Sequence, residues 1–152
     1  TRCLSDWSSD VCSSDLVFLA QACPEPEGAV LGLSELLVNA IEHGNLGISY
    51  EEKSSLKRSD RWQEEISRRL QLPENAGKRV DVTFERDGST IRICITDQGE
   101  GFDWNRYLDF DPARAFDPNG RGIAMARLGS FQDLQYQGKG NVVLATIGET
   151  LP

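Results

Sequence analysis

Glu35 and Asn39 stand four residues apart in the stretch Glu35-Leu-Leu-Val-Asn39-Ala-Ile-Glu-His43-Gly44-Asn45, where most neighbours are apolar. In a helix that spacing puts a carboxylate and an amide on one face, a single turn apart. Such a pair suits phosphate chemistry. The amide oxygen can join the oxygen shell of a Mg²⁺ held by substrate phosphates, and the carboxylate can accept a proton from an attacking hydroxyl or water. An amphipathic helix with two solvated polar residues accounts for this stretch equally well, so the pair does not decide alone. His43 continues the row by another turn, and Gly44 is expected to stop the helix. His43, the sole histidine, is read as a packing or hydrogen-bonding residue in preference to a catalytic base. Glu42 points off the row and is expected to be solvated.

Two glycine motifs lie further along. Ile95-Thr96-Asp97-Gln98-Gly99-Glu100-Gly101 places an acid at the end of a strand pattern, followed by glycines that let backbone approach a ligand closely. Such an acid can accept a hydrogen bond from an exocyclic amine. Asn119-Gly120-Arg121-Gly122-Ile123 is a loop opening a helix, where backbone N–H groups and the helix dipole favour a phosphate. Each motif also occurs in simple turns. Neither is a dinucleotide fingerprint or a Walker loop, because the third glycine and a Gly-Lys-Ser/Thr are absent. Arg121 and Lys139 are basic residues in glycine loops, able to meet a phosphate or merely to face solvent.

The elements that must position these groups follow from periodicity. Residues 17–22 read as the end of a helix, closed by Cys-Pro-Glu-Pro-Glu-Gly at 23–28; the organising helix runs from about Ala29 to His43. Residues 46–79 form a charged insert, in which Trp62, Ile66 and Leu70 predict an amphipathic helix over 60–71 with Ser59 as N-cap. A surface helix lying on the core is preferred to a partner-docking element. Residues 73–78 read as loop. The period then becomes two: Val80, Val82 and Phe84, a turn at Asp87-Gly88-Ser89, then Ile91, Ile93 and Ile95. A helix is expected over Ile123–Leu128, and a last hairpin over 133–137 and 141–147. The aromatics between Trp104 and Phe116 are read as packing onto the core in preference to a partner surface. The order describes an α+β two-layer sandwich, with helices on one face of a mixed sheet.

At 152 residues the chain makes one domain, and 39% apolar and 26% charged content is ordinary for a globular protein. A net charge of −8 leaves no basic stripe for nucleic acid. No apolar run is long enough for a membrane span. The cysteines at 3, 12, 23 and 94 show no metal-ligand spacing, and reduced thiols in a cytoplasmic protein are expected. Residues 1–16 repeat Ser-Asp three times without sustained periodicity. They resemble translated sequencing-adaptor read-through, a non-native segment to be left out of fold reasoning. On that reading the native domain, 17–152, is N-terminally truncated and lacks its first element.

Glu-x-x-x-Asn on a helix, Asp-x-Gly-x-Gly after a strand and Gly-x-Gly before a helix, in that order, resemble the GHKL ATPase superfamily over about residues 17–148. The wording from Glu35 to Gly44 is most similar to the anti-sigma-factor serine kinases. The resemblance implies ATP and Mg²⁺ as ligands, with Glu35 as general base and Asn39 as Mg²⁺ ligand. Asp97 would take the adenine amine, Gly99 and Gly101 would shape the nucleotide pocket, and Gly120, Arg121 and Gly122 would close the phosphate end. Residues 103–119 would be the ATP lid. Family members often carry threonines after the glycine opening the last strand; here Gly140 precedes Asn141 and Val142, which leaves that contact open. The insert is also longer than the compact kinases carry. The implied partners are an antagonist protein or sigma factor, fused receiver or phosphatase domains, and a second copy in a homodimer. A serine kinase is the first expectation. An ATP-sensing module that hydrolyses slowly or not at all, and a histidine-kinase catalytic fragment with its phosphoacceptor helix elsewhere, are the alternatives.

Overall fold

A computed structural model describes residues 2–4, 16–107, 123 and 131–148. Its sheet has the order β1-β2-β3-β5-β4, from β1 (Arg2–Leu4), β2 (Val80–Asp87), β3 (Thr90–Thr96), β4 (Asp133–Gln137) and β5 (Val142–Ile147). Strand alternation does what its period demands. Ile91, Ile93 and Ile95 are at most 1% exposed, and Ile95 lies opposite Val82 and Val143. Burying each such side chain contributes roughly 1.5–3 kcal/mol. Gly88 opens the β2–β3 turn at φ +60°, the sign that a two-residue hairpin loop needs there. The layering is as expected, but every described pairing is antiparallel, where a mixed sheet was predicted. Hairpin-length connections join β2 to β3 and β4 to β5, and such links produce antiparallel neighbours. Residues 2–4, expected to take no part in the fold, pair with Val80–Val82 along the β2 edge.

The helical layer begins with α1 (residues 16–20) and α2 (Pro26–Asn39). α2 starts earlier than Ala29 because Pro26 suits the first helical turn, where its missing N–H costs nothing. Leu33, Leu36, Leu37 and Ala40 join the buried cluster with the sheet isoleucines. The chain then winds as a π-helix through Ala40–Asn45 before α3 (Tyr50–Arg58) and α4 (Trp62–Leu70). α3 falls inside the insert and has a legible signal. Ser49 accepts the N–H of Glu52, half of a capping box. Ser59 does not cap α4. It ends α3, where its hydroxyl donates to the carbonyls of Ser55 and Leu56, and the chain reverses at Asp60, φ 56°.

α4 lies on the surface with no buried residue. Of the predicted helix over 123–128, Ile123 alone is described, and it is buried in the core. The cysteines described with their side chains, Cys23 and Cys94, are free thiols. Among the described residues no helix is long and apolar enough to cross a membrane.

Candidate active site

α2 carries Glu35, half-exposed, and ends on Asn39, which is 8% exposed. Among the described residues nothing hydrogen-bonds the Asn39 Nδ2. An unpaired buried N–H of this kind costs about 1–3 kcal/mol unless a ligand or water takes it. The π-turn that follows shows in the Leu46 N–H, which reaches back five residues to the Ile41 carbonyl at 2.8 Å. Turns of this type are frequent at functional sites. Here the extra residue breaks the Glu35–Asn39–His43 row and brings Gly44 against Asp97. A Cβ on Gly44 would fall within the Asp97 carboxylate. Gly44 is therefore not the expected helix stop; Gly47, at φ +62° with open space around it, takes the left-handed position beyond the helix end.

Asp97 sits where β3 ends, 7% exposed. Its N–H donates to the Asn141 carbonyl at 3.0 Å, the Asn141 amide donates back to the Asp97 carbonyl at 3.2 Å, and the Gly99 N–H donates to Oδ1 at 2.8 Å. Burial raises its pKa to about 6, against the Gly99 hydrogen bond and the more distant charges of Lys139 and Lys78. Asn39, Asp97 and Asn141 line one cavity with Ile95, Phe102 and Tyr136. Its volume is about 10 Å³, room for a single water. Tyr136 stacks on Trp104 (centroids 5.8 Å apart) and meets the edge of Phe102 at 5.4 Å. Burial, with Asp97 adding, pushes the Tyr136 phenol well above its ordinary range. Trp104 thus packs on the core, as predicted.

A buried acid closing β3 packs on Gly44 of the π-turn, and the helix before that turn brings Asn39 to the same cavity. The sequence matches the histidine kinase-like ATPase domain over residues 21–147. The chain belongs to that family. No curated protein and no solved structure matches it significantly. Membership makes this histidine kinase-like ATPase domain a GHKL-type, ATP-using module of the ATPase and kinase kind.

Against that assignment, several single-residue expectations change. Gly99 and Gly101 are packed against protein backbone. A Cβ at Gly99 would strike the Gly44 carbonyl, and one at Gly101, φ +82°, would strike the Lys139 carbonyl. That carbonyl already accepts the Phe102 N–H at 3.1 Å. Glu42 is not solvated. It forms an ion pair with the buried Lys53, whose ammonium lies 5.0 Å from the centre of the Trp62 ring. His43 is buried, shares a hydrogen bond between Nδ1 and the Ile48 carbonyl, and stacks on Tyr50 at 3.8 Å. Burial lowers its pKa to about 4, with the Ile48 hydrogen bond opposing and Lys53 adding. A neutral imidazole then holds the helix end, the packing role predicted for it. Lys139 has an exposed side chain, 3.5 Å from Glu100. Gly120, Arg121, Gly122 and residues 108–119 of the expected lid lie outside the described residues.

Asn45 emerges as a residue whose role the sequence did not reveal. Its Nδ2 donates to the Arg79 carbonyl at 2.9 Å and its Oδ1 accepts the Gln98 N–H at 2.8 Å. Lys78 donates to its carbonyl at 2.7 Å, and the Gln98 side chain accepts the Arg79 N–H. One buried amide therefore joins the π-turn, the exit of the insert and the loop beside Asp97. Such partners, more than thirty positions away in sequence, leave no local pattern to read. Arg69 binds the insert from the other side, donating to the Leu46 carbonyl at 2.9 Å and pairing with Glu52 and Glu65.

Proposed function

We propose that this domain binds Mg·ATP and transfers the γ-phosphate to a serine on a protein partner, as anti-sigma-factor serine kinases do. The observation that carries this reading is the Asn39 Nδ2, a buried donor without a partner among the described residues, on a residue lining the cavity that Asp97 also lines, one turn beyond Glu35; such a donor fits a phosphate oxygen. Asp97, ionised above about pH 6, accepts from the exocyclic amine of adenine and so favours ATP over GTP, which has a carbonyl there. Asn141 fixes the Asp97 backbone from the neighbouring strand. Asn39 would offer its Oδ1 to the metal and its Nδ2 to a phosphate oxygen, and Mg²⁺, when bound, neutralises charge on the phosphates. Glu35 takes the proton of the attacking hydroxyl. In this reading the partner is an antagonist protein or sigma factor in the cytoplasm, the domain is carried beside receiver or phosphatase modules, and it pairs as a homodimer.

A second reading, an ATP-sensing module with slow or no turnover, draws support from the cavity itself. A purine needs far more room than about 10 Å³, so the surrounding rings must move on binding. That movement could be passed to a fused domain. Radiolabelled γ-phosphate transfer and nucleotide titration, on wild type, Glu35→Ala and Asn39→Ala, separate the two. On the kinase reading Glu35→Ala keeps ATP affinity within a few fold and loses about 10²–10⁴ in turnover. Asn39→Ala loses Mg²⁺-dependent binding and turnover together. Tight binding of Mg·ATP by a wild type that neither transfers nor hydrolyses would replace the kinase reading by the sensor.

A further inference from the structure

We propose that the cleft beneath the insert is a second ligand site, shaped for a small molecule with an apolar body and a carboxylate. The cleft exists because α4 is amphipathic but not packed. Trp62, Ile66 and Leu70 recur every four residues along this unbroken helix, which puts them on one side. No residue of α4 is buried, and Leu70 is 40% exposed. Buried apolar groups face the same space from the body of the domain. Leu37 of α2, Leu46 just after the π-turn and Val80 at the start of β2 are each at most 6% exposed, and all three line the cleft with Leu70. Its volume is about 220 Å³. A cavity of about 150 Å³ takes benzene, so this one has room for two fused rings.

The chemistry of the lining selects the ligand. Polar groups in the walls already have partners: both ends of the Asn45 amide are bonded, to Arg79 and Gln98, and the Asn75 Nδ2 donates to the Arg69 carbonyl at 2.9 Å. The interior therefore asks for an apolar body, as small-molecule sites commonly do. Charge in the lining has one sign. Lys78 and Arg79 line the cleft and, among the described residues, no carboxylate does, although the chain as a whole carries −8. Lys78 is half-buried, and its one hydrogen bond among the described residues is donated to the Asn45 carbonyl at 2.7 Å. An ammonium has three N–H groups, so donors remain for a ligand. Such a group beside an apolar cleft suits a carboxylate head, because charge-assisted hydrogen bonds are roughly twice as strong as neutral ones. Leu37 and Leu46 each stand two residues from a site residue, Asn39 and Gly44, so an occupant would rest against the elements that hold the nucleotide site.

Titration of the isotope-labelled full chain with 2-naphthoate, followed by amide NMR shifts, tests the site. Saturable shifts should centre on Leu37, Leu46, Leu70 and Val80, with a dissociation constant below about 1 mM, as a ligand of this size allows. Lys78→Met keeps the apolar stem and should weaken 2-naphthoate about tenfold, and Lys78→Arg should restore most of the affinity. The neutral analogue 2-naphthylmethanol should bind wild type and Lys78→Met equally. Ala76→Trp, at an exposed position lining the cleft, should fill it and abolish binding of both compounds. Unmoved resonances of Ile91, Ile93 and Ile95 show that each variant keeps the core. No saturable shift in wild type, or shifts centred elsewhere, would overturn the proposal. So would undiminished 2-naphthoate affinity in Lys78→Met, loss of both compounds in that variant, or undiminished binding by Ala76→Trp. The measurement needs neither nucleotide nor turnover, so its outcome is separate from that of the kinase reading.

Discussion

Asp97 holds its place in the fold at a cost, and the cost has a pH signature. Its folded pKa of about 6 stands above the ordinary 3.8, so the native state binds more protons than the unfolded chain between those values. Stability from this group therefore falls as pH rises through that window, by on the order of 3 kcal/mol at neutral pH. Asp97→Asn keeps an acceptor for Gly99 without the buried charge. It should raise stability at pH 8, leave it unchanged near pH 4, and weaken ATP binding strongly by losing the anionic acceptor for the adenine amine. Urea unfolding across pH, beside calorimetric titration, checks both halves. Near-wild-type affinity would refute the adenine contact. His43 works in the opposite sense. Its pKa, lowered from 6.5 to about 4, withdraws stability as pH falls through that range. In the wild type the two slopes offset each other, and Asp97→Asn should expose the histidine slope as a steeper acid limb.

At the level of elements, the π-turn carries the site. Gly44→Ala should destabilise the domain by about 1–3 kcal/mol, the cost of overpacking, and weaken nucleotide binding by displacing Asp97. Gly47→Ala has open space and meets only the left-handed backbone penalty, about 1–2 kcal/mol, with binding unchanged. Unfolding and titration of the two variants distinguish a structural glycine from a site glycine. This contrast also shows what the sequence could reveal. The strands were legible because Ile91, Ile93 and Ile95 repeat at two, and α2 because its leucines follow one face. The Glu35–Asn39 row was legible because both residues stand before the winding changes. A π-turn has no composition of its own, so Gly44 was read as the helix stop that Gly47 supplies. Glu42 was misplaced for a related reason: its partner Lys53 belongs to α3, whose apolar content is too low to show a core-facing row.

For the molecule as a whole, the sheet edge is the exposed question. β1 covers Val80–Val82 alone, through three antiparallel pairs. Removing residues 1–15 should lower the melting temperature by only a few degrees, since edge pairs of this length contribute little. It should also increase self-association, because the freed β2 edge offers unpaired backbone to another chain. Sedimentation over a concentration series, beside thermal melts, measures both effects. A cooperative loss of the fold would mean that the segment does more than cover an edge.

The ring contacts run from His43 through Tyr50 and Phe102 to Tyr136 and Trp104, linking the helix end, the insert, the segment after β3 and β4. Two of these rings, Phe102 and Tyr136, line the cavity, and their movement would make nucleotide capture a matter of time as well as affinity. If only a fraction of molecules is open at any moment, the apparent dissociation constant is the intrinsic one divided by that fraction. Mixed rapidly with excess ATP, the protein should show an observed rate that reaches a plateau instead of rising in proportion to concentration. Trp104 provides the fluorescence signal, and its replacement by phenylalanine should abolish the signal while leaving Trp7 and Trp62 as a silent background. Trimming Tyr136 to leucine would raise the open fraction, so that binding becomes faster and tighter in a variant with less core.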